Sequence, residues 1–177
     1  MQIDEGRLFE AYFRGYAGRV HAFVLRRADP EAAQDVTAET FLIAWRRRAE
    51  MPAVPLPWLY GIARGVLAND RRSANRRFAL VERMAAEPSP PDSHVGGDPE
   101  ILVALADLHE SDREALLLCA WEGLSVREAA SVAGCRPATF AVRLHRARRR
   151  LARVLTAMRA GEAHPACPND SVSEVSA

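Results

Sequence analysis

Leu8, Tyr12, Tyr16, Val20 and the Phe23/Val24 pair recur every three to four residues between polar neighbours, a period that predicts an amphipathic helix from about Glu5 to Arg27. Asp29-Pro30 punctuates it. Asp29 suits the N-cap of a second helix, Pro30 its first turn, and the acids that follow complement the helix dipole. Within that helix Ala33, Thr37, Phe41 and Ala44/Trp45 make the inward stripe, whereas Asp35, Glu39, Leu42 and Arg46 share a different face. Pro52, Pro55 and Pro57 remove backbone donors and predict a non-helical loop over Met51 to Pro57. A third helix is expected from near Trp58, with Leu59, Ile62, Ala63 and Val66 on its buried side. Arg64, Arg71, Arg72, Arg76 and Arg77 crowd the rest of it. Gly61 and Gly65 each cost about 1 kcal/mol in a helix interior, so close packing against a neighbouring helix is expected there.

The run EPSPPDSHVGGDP, Glu87 to Pro99, has little to bury and reads as a flexible linker. Beyond it Ile101, Leu102, Leu105 and Leu108 predict a helix, and Ser111 to Glu122 a second, carrying Leu116, Leu117, Ala120 and Trp121 and ended by Gly123. Ser125-Val126-Arg127-Glu128 has the form of a capping box and starts a short helix to about Ala133. Gly134 supplies a turn and Pro137 a first helical turn. The last helix continues from Thr139 to about Met158 with Phe140, Leu144, Ala147, Leu151 and Leu155 at helical spacing. A short helix, a glycine turn and an arginine-rich helix make a helix-turn-helix. The fold expected is all-α: two small helical domains, 1–84 and 100–159, joined by a flexible linker over 85–99, with a polar, disordered tail over 160–177.

Composition narrows the function classes. With 49% hydrophobic and 27% charged residues in 177, the chain can bury ordinary cores. No stretch approaches the roughly 18 to 20 apolar residues of a membrane span, and Asp4 and Glu5 stand where a secretory leader would be basic. A cytoplasmic protein without membrane insertion is expected. Cys119, Cys135 and Cys167 form no CxxC pair, so no metal or cofactor is expected; two are read as core thiols and one as a tail thiol. The net charge of +1 hides segregation: Asp29 to Glu39 holds four acids and no base, and Phe140 to Arg153 six arginines and no acid. One face can thus meet a basic partner and another phosphates. Every basic side chain is Arg, which suits bidentate recognition, although GC-rich codon usage explains that more plainly.

A helix-turn-helix lays its second helix in the DNA major groove. Here that helix offers Arg136, Thr139, Phe140 and Arg143 toward base edges, and Arg146, Arg148, Arg149 and Arg150 toward phosphates. The stretch EGLSVREAASVAGCRPATFAVRLHRARRRL, Glu122 to Leu151, resembles region 4 of the extracytoplasmic-function sigma factors, with Thr139, Arg143, Leu144, Arg146, Ala147, Arg148 and Leu151 matching its usual pattern. DPEAAQDVTAETFLIAW resembles region 2.2 of the same family, and PWLYGIARGVLANDRRSANRR regions 2.3 and 2.4.

The resemblance implies a non-catalytic protein that binds core RNA polymerase and directs it to promoters. It implies that the acidic second helix docks on the β′ clamp through Asp35, Glu39 and Leu42, with the β flap a further polymerase contact. It places the melted minus-ten strand near Trp58, Tyr60, Arg64, Asn69, Arg71 and Arg72, where an extruded base costs a few kcal/mol that a pocket and phosphate contacts offset. Trp45, Trp58 and Tyr60 are at the same time at core spacing. Arg136, Thr139, Phe140, Arg143, Arg146 and Arg148 are the implied minus-thirty-five contacts. The family is commonly held inactive by an anti-sigma partner wedged against both domains. Gly65, Ala38, Ala141 and Arg136 depart from residues common in the family and bear on base preference.

Three other readings compete. A helix-turn-helix regulator acting on duplex DNA alone leaves the acidic helix and the aromatic, basic third helix without a task. A sigma-like adaptor that binds only protein differs in having no promoter-dependent activity. An enzyme finds no phosphate loop, no Ser/His/Asp order and no H-E-x-x-H, and the five histidines are scattered.

Overall fold

The computed structural model describes residues 5–81 and 98–162, and these form seven α-helices and one 3-10 turn, with no strand among the described residues. The first half holds α1 (Glu5–Leu25), α2 (Pro30–Arg46) and α3 (Pro55–Val81), with the 3-10 turn at Arg48–Glu50. The second holds α4 (Pro99–Ala106), α5 (Glu110–Ala120), α6 (Val126–Ala133) and α7 (Pro137–Glu162). The expected linker and tail otherwise lie outside the described residues, apart from Asp98-Pro99 and the end of α7.

Local chemistry sets most boundaries. Asp29 accepts from the Ala32 amide at 2.8 Å and starts α2. Asp98 caps α4 in the same way through the Glu100 amide, so Pro99, expected in the linker, is the first helical residue. Arg113 donates to the Leu105 and Ala106 carbonyls at the end of α4 and to the Leu108 carbonyl just beyond it. The capping box at α6 is complete: the Glu128 amide donates to Ser125 Oγ and the Ser125 amide to Glu128 Oε2. Gly134 ends α6 with φ +67°, a left-handed conformation that glycine adopts without cost.

Three expectations need correction. The loop before α3 is shorter than the prolines suggest, because α3 begins at Pro55. Amides of a first helical turn have no intrahelical acceptor, so Pro55 and Pro57 remove bonds that were never available. In α2 the buried set is Ala33, Val36, Thr40, Phe41 and Ala44, rotated from the expected stripe. Thr40 is buried by donating its hydroxyl to the Val36 carbonyl, and Thr37, half-buried, donates to Ala33 and meets His21 Nδ1 of α1 at 3.2 Å. Finally, a Cβ built at Gly61 or Gly65 meets nothing within 4 Å, so neither glycine serves close helix packing.

Helices α1, α2 and α3 pack on one another around Val20, Phe23, Val24, Phe41, Leu59, Tyr60 and Ala63. An aromatic group of Phe9, Phe13, Phe41 and Trp45 closes the α1/α2 end by edge-to-face contacts. In the second half α7 packs on α4, α5 and α6, burying Leu116, Leu118, Phe140, Leu144 and Ala147. The two halves also meet: α6 lies on α3, and the buried apolar residues of both form one continuous cluster.

Candidate nucleic-acid interface

The α6–α7 unit is held from behind by a stripe on α7. Phe140, Leu144 and Ala147 are buried, Leu151 is half-buried, and together they fix the roll of the helix. The adjoining face of its N-terminal turns, toward α5, is open, with Arg143 itself half-buried. There Thr139, Val142, Arg143 and Arg146 join Ser111 and Asp112 of α5 around a shallow groove of about 560 Å³. Arg136 is exposed at the approach to α7, and Arg148 is exposed further along. Arg150, expected to face phosphates, borders the same groove and is ion-paired with the buried carboxylate of Asp112.

Phe140 does not belong to this face. It is 0% exposed, so it anchors the helix and reaches no base edge, which corrects its assignment as a DNA contact. Val142 takes the outward position and is 52% exposed. Its signal in the sequence was an apolar residue off the Phe140/Leu144/Ala147 stripe. An exposed valine among arginines offers a methyl contact of the kind that reads thymine.

The α3 surface is mixed. Arg64, Asn69 and Arg72 are exposed, Trp58 is half-buried, and the side chain of Arg71 lies outside the described residues. Tyr60 is 1% exposed and stacks on Phe23 with ring centroids 4.5 Å apart, so in this arrangement neither ring face is open to a nucleobase. Burial, followed by the neighbouring Glu122 carboxylate, pushes its phenol up to about 12. Its place in the expected minus-ten set is thereby corrected: a core-spaced aromatic has gone to the core. Trp45 is likewise half-buried against Phe9, with the Arg48 guanidinium 4.6 Å from its ring centre.

On α2, Asp35, Glu39 and Leu42 are all exposed, Leu42 to 43%, and their spacing sets them along one side of the helix. An acidic face continued by an exposed apolar residue suits a basic partner. Cys119 and Cys135 are half-buried free thiols, and burial pushes that of Cys119 up.

Sequence reasoning missed a cluster between the halves. Arg26 donates to both carboxylate oxygens of Glu122, at 2.7 Å each from Nη2, and Arg27 donates to Glu114 at 2.9 Å and to Glu122 at 3.3 Å. The Arg27 guanidinium lies 3.7 Å from the Phe23 ring centre and also donates to the Phe23 carbonyl. No local pattern marks such a pairing. Among the described residues no helix is long and apolar enough to cross a membrane.

Comparison with known proteins agrees with this arrangement. The family described as Sigma-70 region 2 matches residues 12–77, and Sigma-70, region 4 matches residues 99–151. The ECF RNA polymerase sigma factor SigC of Mycobacterium tuberculosis is 36% identical over 149 residues, covering 81% of this chain and 80% of that protein. The RNA polymerase sigma factor CarQ of Myxococcus xanthus is 34% identical over 158 residues, covering 83% and 88%. Among solved structures, the sigma factor RpoE of Bartonella quintana, in complex with the anti-sigma factor NepR, superposes with a TM-score of 0.68 at 24% identity over 84% of this chain and 96% of that one. CnrH, in complex with the cytosolic domain of CnrY, superposes with a TM-score of 0.58 at 24% identity, covering 86% and 90%. These two likenesses speak for the fold, whereas the matched regions and the curated relatives speak for the family. An acidic helix face, a helix bearing exposed arginines and a helix-turn-helix, arranged in the order of regions 2 and 4, thus belong to an extracytoplasmic-function RNA polymerase sigma factor of the sigma-70 family, which works with core polymerase and promoter DNA to start transcription.

Proposed function

We propose that the three exposed faces divide the work of promoter recognition. Asp35, Glu39 and Leu42 dock α2 on the β′ clamp of polymerase, the β flap meeting the second half. Arg64, Asn69, Arg71 and Arg72, with Trp58 beside them, hold the opened minus-ten strand, mostly through phosphate contacts whose strength falls with salt. Arg136, Thr139, Val142, Arg143, Arg146 and Arg148 read the minus-thirty-five duplex. Residues 1–84 and 100–159 act as the two functional units. The chain acts in the cytoplasm, contributes no catalytic group, and has an anti-sigma factor as its inhibitory partner.

The observation that carries this reading is the two-sided character of α7: Phe140, Leu144 and Ala147 lock one face, leaving Thr139, Val142, Arg143 and Arg146 together on an open groove. Each good base contact discriminates by roughly 1 to 3 kcal/mol. The test is a paired titration of wild type and the R143A/R146A variant against core polymerase and against a promoter complex. The variant is expected to bind core normally and to lose promoter binding about tenfold or more. Equal promoter binding contradicts the assignment of α7.

A further inference from the structure

Asp112 is an acid in a groove otherwise suited to a polyanion. Arg143, Arg146 and Arg150 line that groove, and Asp112 is the one carboxylate among the residues that border it. Its side chain is 6% exposed. A carboxylate shut away from water is costly unless a cation meets it, and here Arg150 Nη1 donates to Asp112 Oδ2. The pairing does not hide the arginine, whose side chain stays 49% exposed. The support of the carboxylate is itself fixed. Asp112 stands in the first turn of α5, where the Ser111 amide donates to His109 Nδ1 at 3.2 Å and the Ser111 hydroxyl meets the same nitrogen at 2.9 Å.

On α7, Thr139, Arg143, Arg146 and Arg150 follow the spacing i, i+4, i+7, i+11, which sets them along one side of the helix. Arg150 lies about 10 Å along the axis beyond Arg143. A recognition helix enters the major groove by its N-terminal residues, and the groove is about 12 Å wide. A side chain that far along the helix is therefore at the groove's edge, among phosphates and away from bases. A guanidinium carries five N–H donors in a rigid fork. With one donor on Asp112, the remainder can meet phosphate oxygens. A tethered arginine also gives up less rotamer freedom on binding than a free one.

We propose that Asp112 is a positioning residue for promoter binding, which holds Arg150 at the rim of the α7 groove and aims it at a backbone phosphate of the minus-thirty-five duplex. This rests on the proposed reading of that duplex by α7. Asp112 acts through Arg150 and itself touches no DNA.

A purely structural role makes a different prediction. An acid in the first turn favours α5 through the helix dipole, and the pair ties α5 to α7. If that were all, removing a negative charge beside DNA would leave duplex binding unchanged or tighten it. Positioning requires the opposite sign.

The experiment titrates holoenzyme, assembled from core polymerase and the full-length chain, on a promoter fragment whose start has been mapped by run-off transcription, over a series of salt concentrations. Asp112→Ala and Arg150→Ala are each expected to weaken binding about fivefold near 0.15 M salt and to lower the slope of log affinity against log salt by about 0.9, the loss of one phosphate contact. The double variant is expected to be no weaker than either single one, because both remove the same contact. Affinity for core polymerase is expected to be unchanged. Thermal melting reports whether each variant is folded; if D112A is not, D112N, which keeps the shape and removes the charge, is expected to weaken duplex binding in the same direction. Binding by the folded Asp112 variant that equals or exceeds wild type overturns the proposal, as do an unaffected R150A or losses that add in the double variant. R143A/R146A, measured alongside, separates the two readings. If it binds weakly while the Asp112 variant does not, only the positioning role falls; if it too binds like wild type, the reading of the duplex by α7 falls with it.

Discussion

Phe140 and Val142 stand two residues apart on α7 with opposite fates, the first fully enclosed and the second half-exposed beside Thr139, Arg143 and Arg146. The pair separates what the helix needs to stay seated from what it shows to DNA. Phe140→Ala is expected to cost about 3 to 5 kcal/mol of stability, the usual loss for an enclosed phenylalanine. Val142→Ala is expected to leave stability within about 0.5 kcal/mol while weakening duplex binding, by ~1 kcal/mol if a thymine methyl is lost. Urea denaturation and duplex titration distinguish the two.

How far the sequence is legible depends on the range of the interaction. Asp29, Ser125, Glu128 and Gly134 act within four residues of themselves, and their caps and turn stand in the structure as local chemistry requires, whereas the equally local Asp98 cap was hidden inside a run read as linker. Phe140 and Tyr60 are another matter, since helical spacing alone does not say which aromatic faces a partner element and which faces solvent. Arg26 and Glu122 lie 96 residues apart, and only the packing of α6 on α3 brings them together. The closed arrangement was therefore invisible to a reading of periods and motifs.

The Ser125–Glu128 box makes a prediction about acid. Hydrogen bonds from the Ser125 side chain and amide hold the Glu128 carboxyl below its ordinary value of 4.5. A carboxyl depressed in the folded state stabilises fully above its unfolded pKa, and the contribution is lost as pH falls through the lower, folded value. Ser125→Ala is expected to cost about 1 kcal/mol at neutral pH and less as acid protonates Glu128 and weakens its bond to Ser125 in the wild type. Denaturant midpoints taken between neutrality and pH 3 check this; a cost that is constant with pH contradicts it.

Gly65 and Gly61 lie inside α3 with open space where a side chain would be. Alanine at either position is expected to raise stability by about 0.5 to 1 kcal/mol, since the helix then gives up less backbone entropy. Gly65 is exposed beside Arg64, so binding of a minus-ten single strand by G65A is the second readout. Increased stability with weaker strand binding places the DNA backbone close to Gly65, and increased stability alone leaves the glycine without a contact role.

Asp35 and Glu39 are exposed on α2, and neither enters an ion pair among the described residues. Replacing both by Arg is expected to leave the thermal midpoint nearly unchanged and to weaken core-polymerase binding by about tenfold or more, since opposite charges at an interface become like charges. A competition titration against a second sigma factor measures it. Undiminished affinity removes α2 from the docking surface.

The most direct test is run-off transcription on fragmented genomic DNA, with purified core polymerase and this chain as the sole added factor. Discrete transcripts are expected that require the chain, share sequence features upstream of their starts at both spacings, and disappear with R143A/R146A while core binding persists. Transcripts identical with and without the chain, or unaffected by loss of the two arginines, contradict the account.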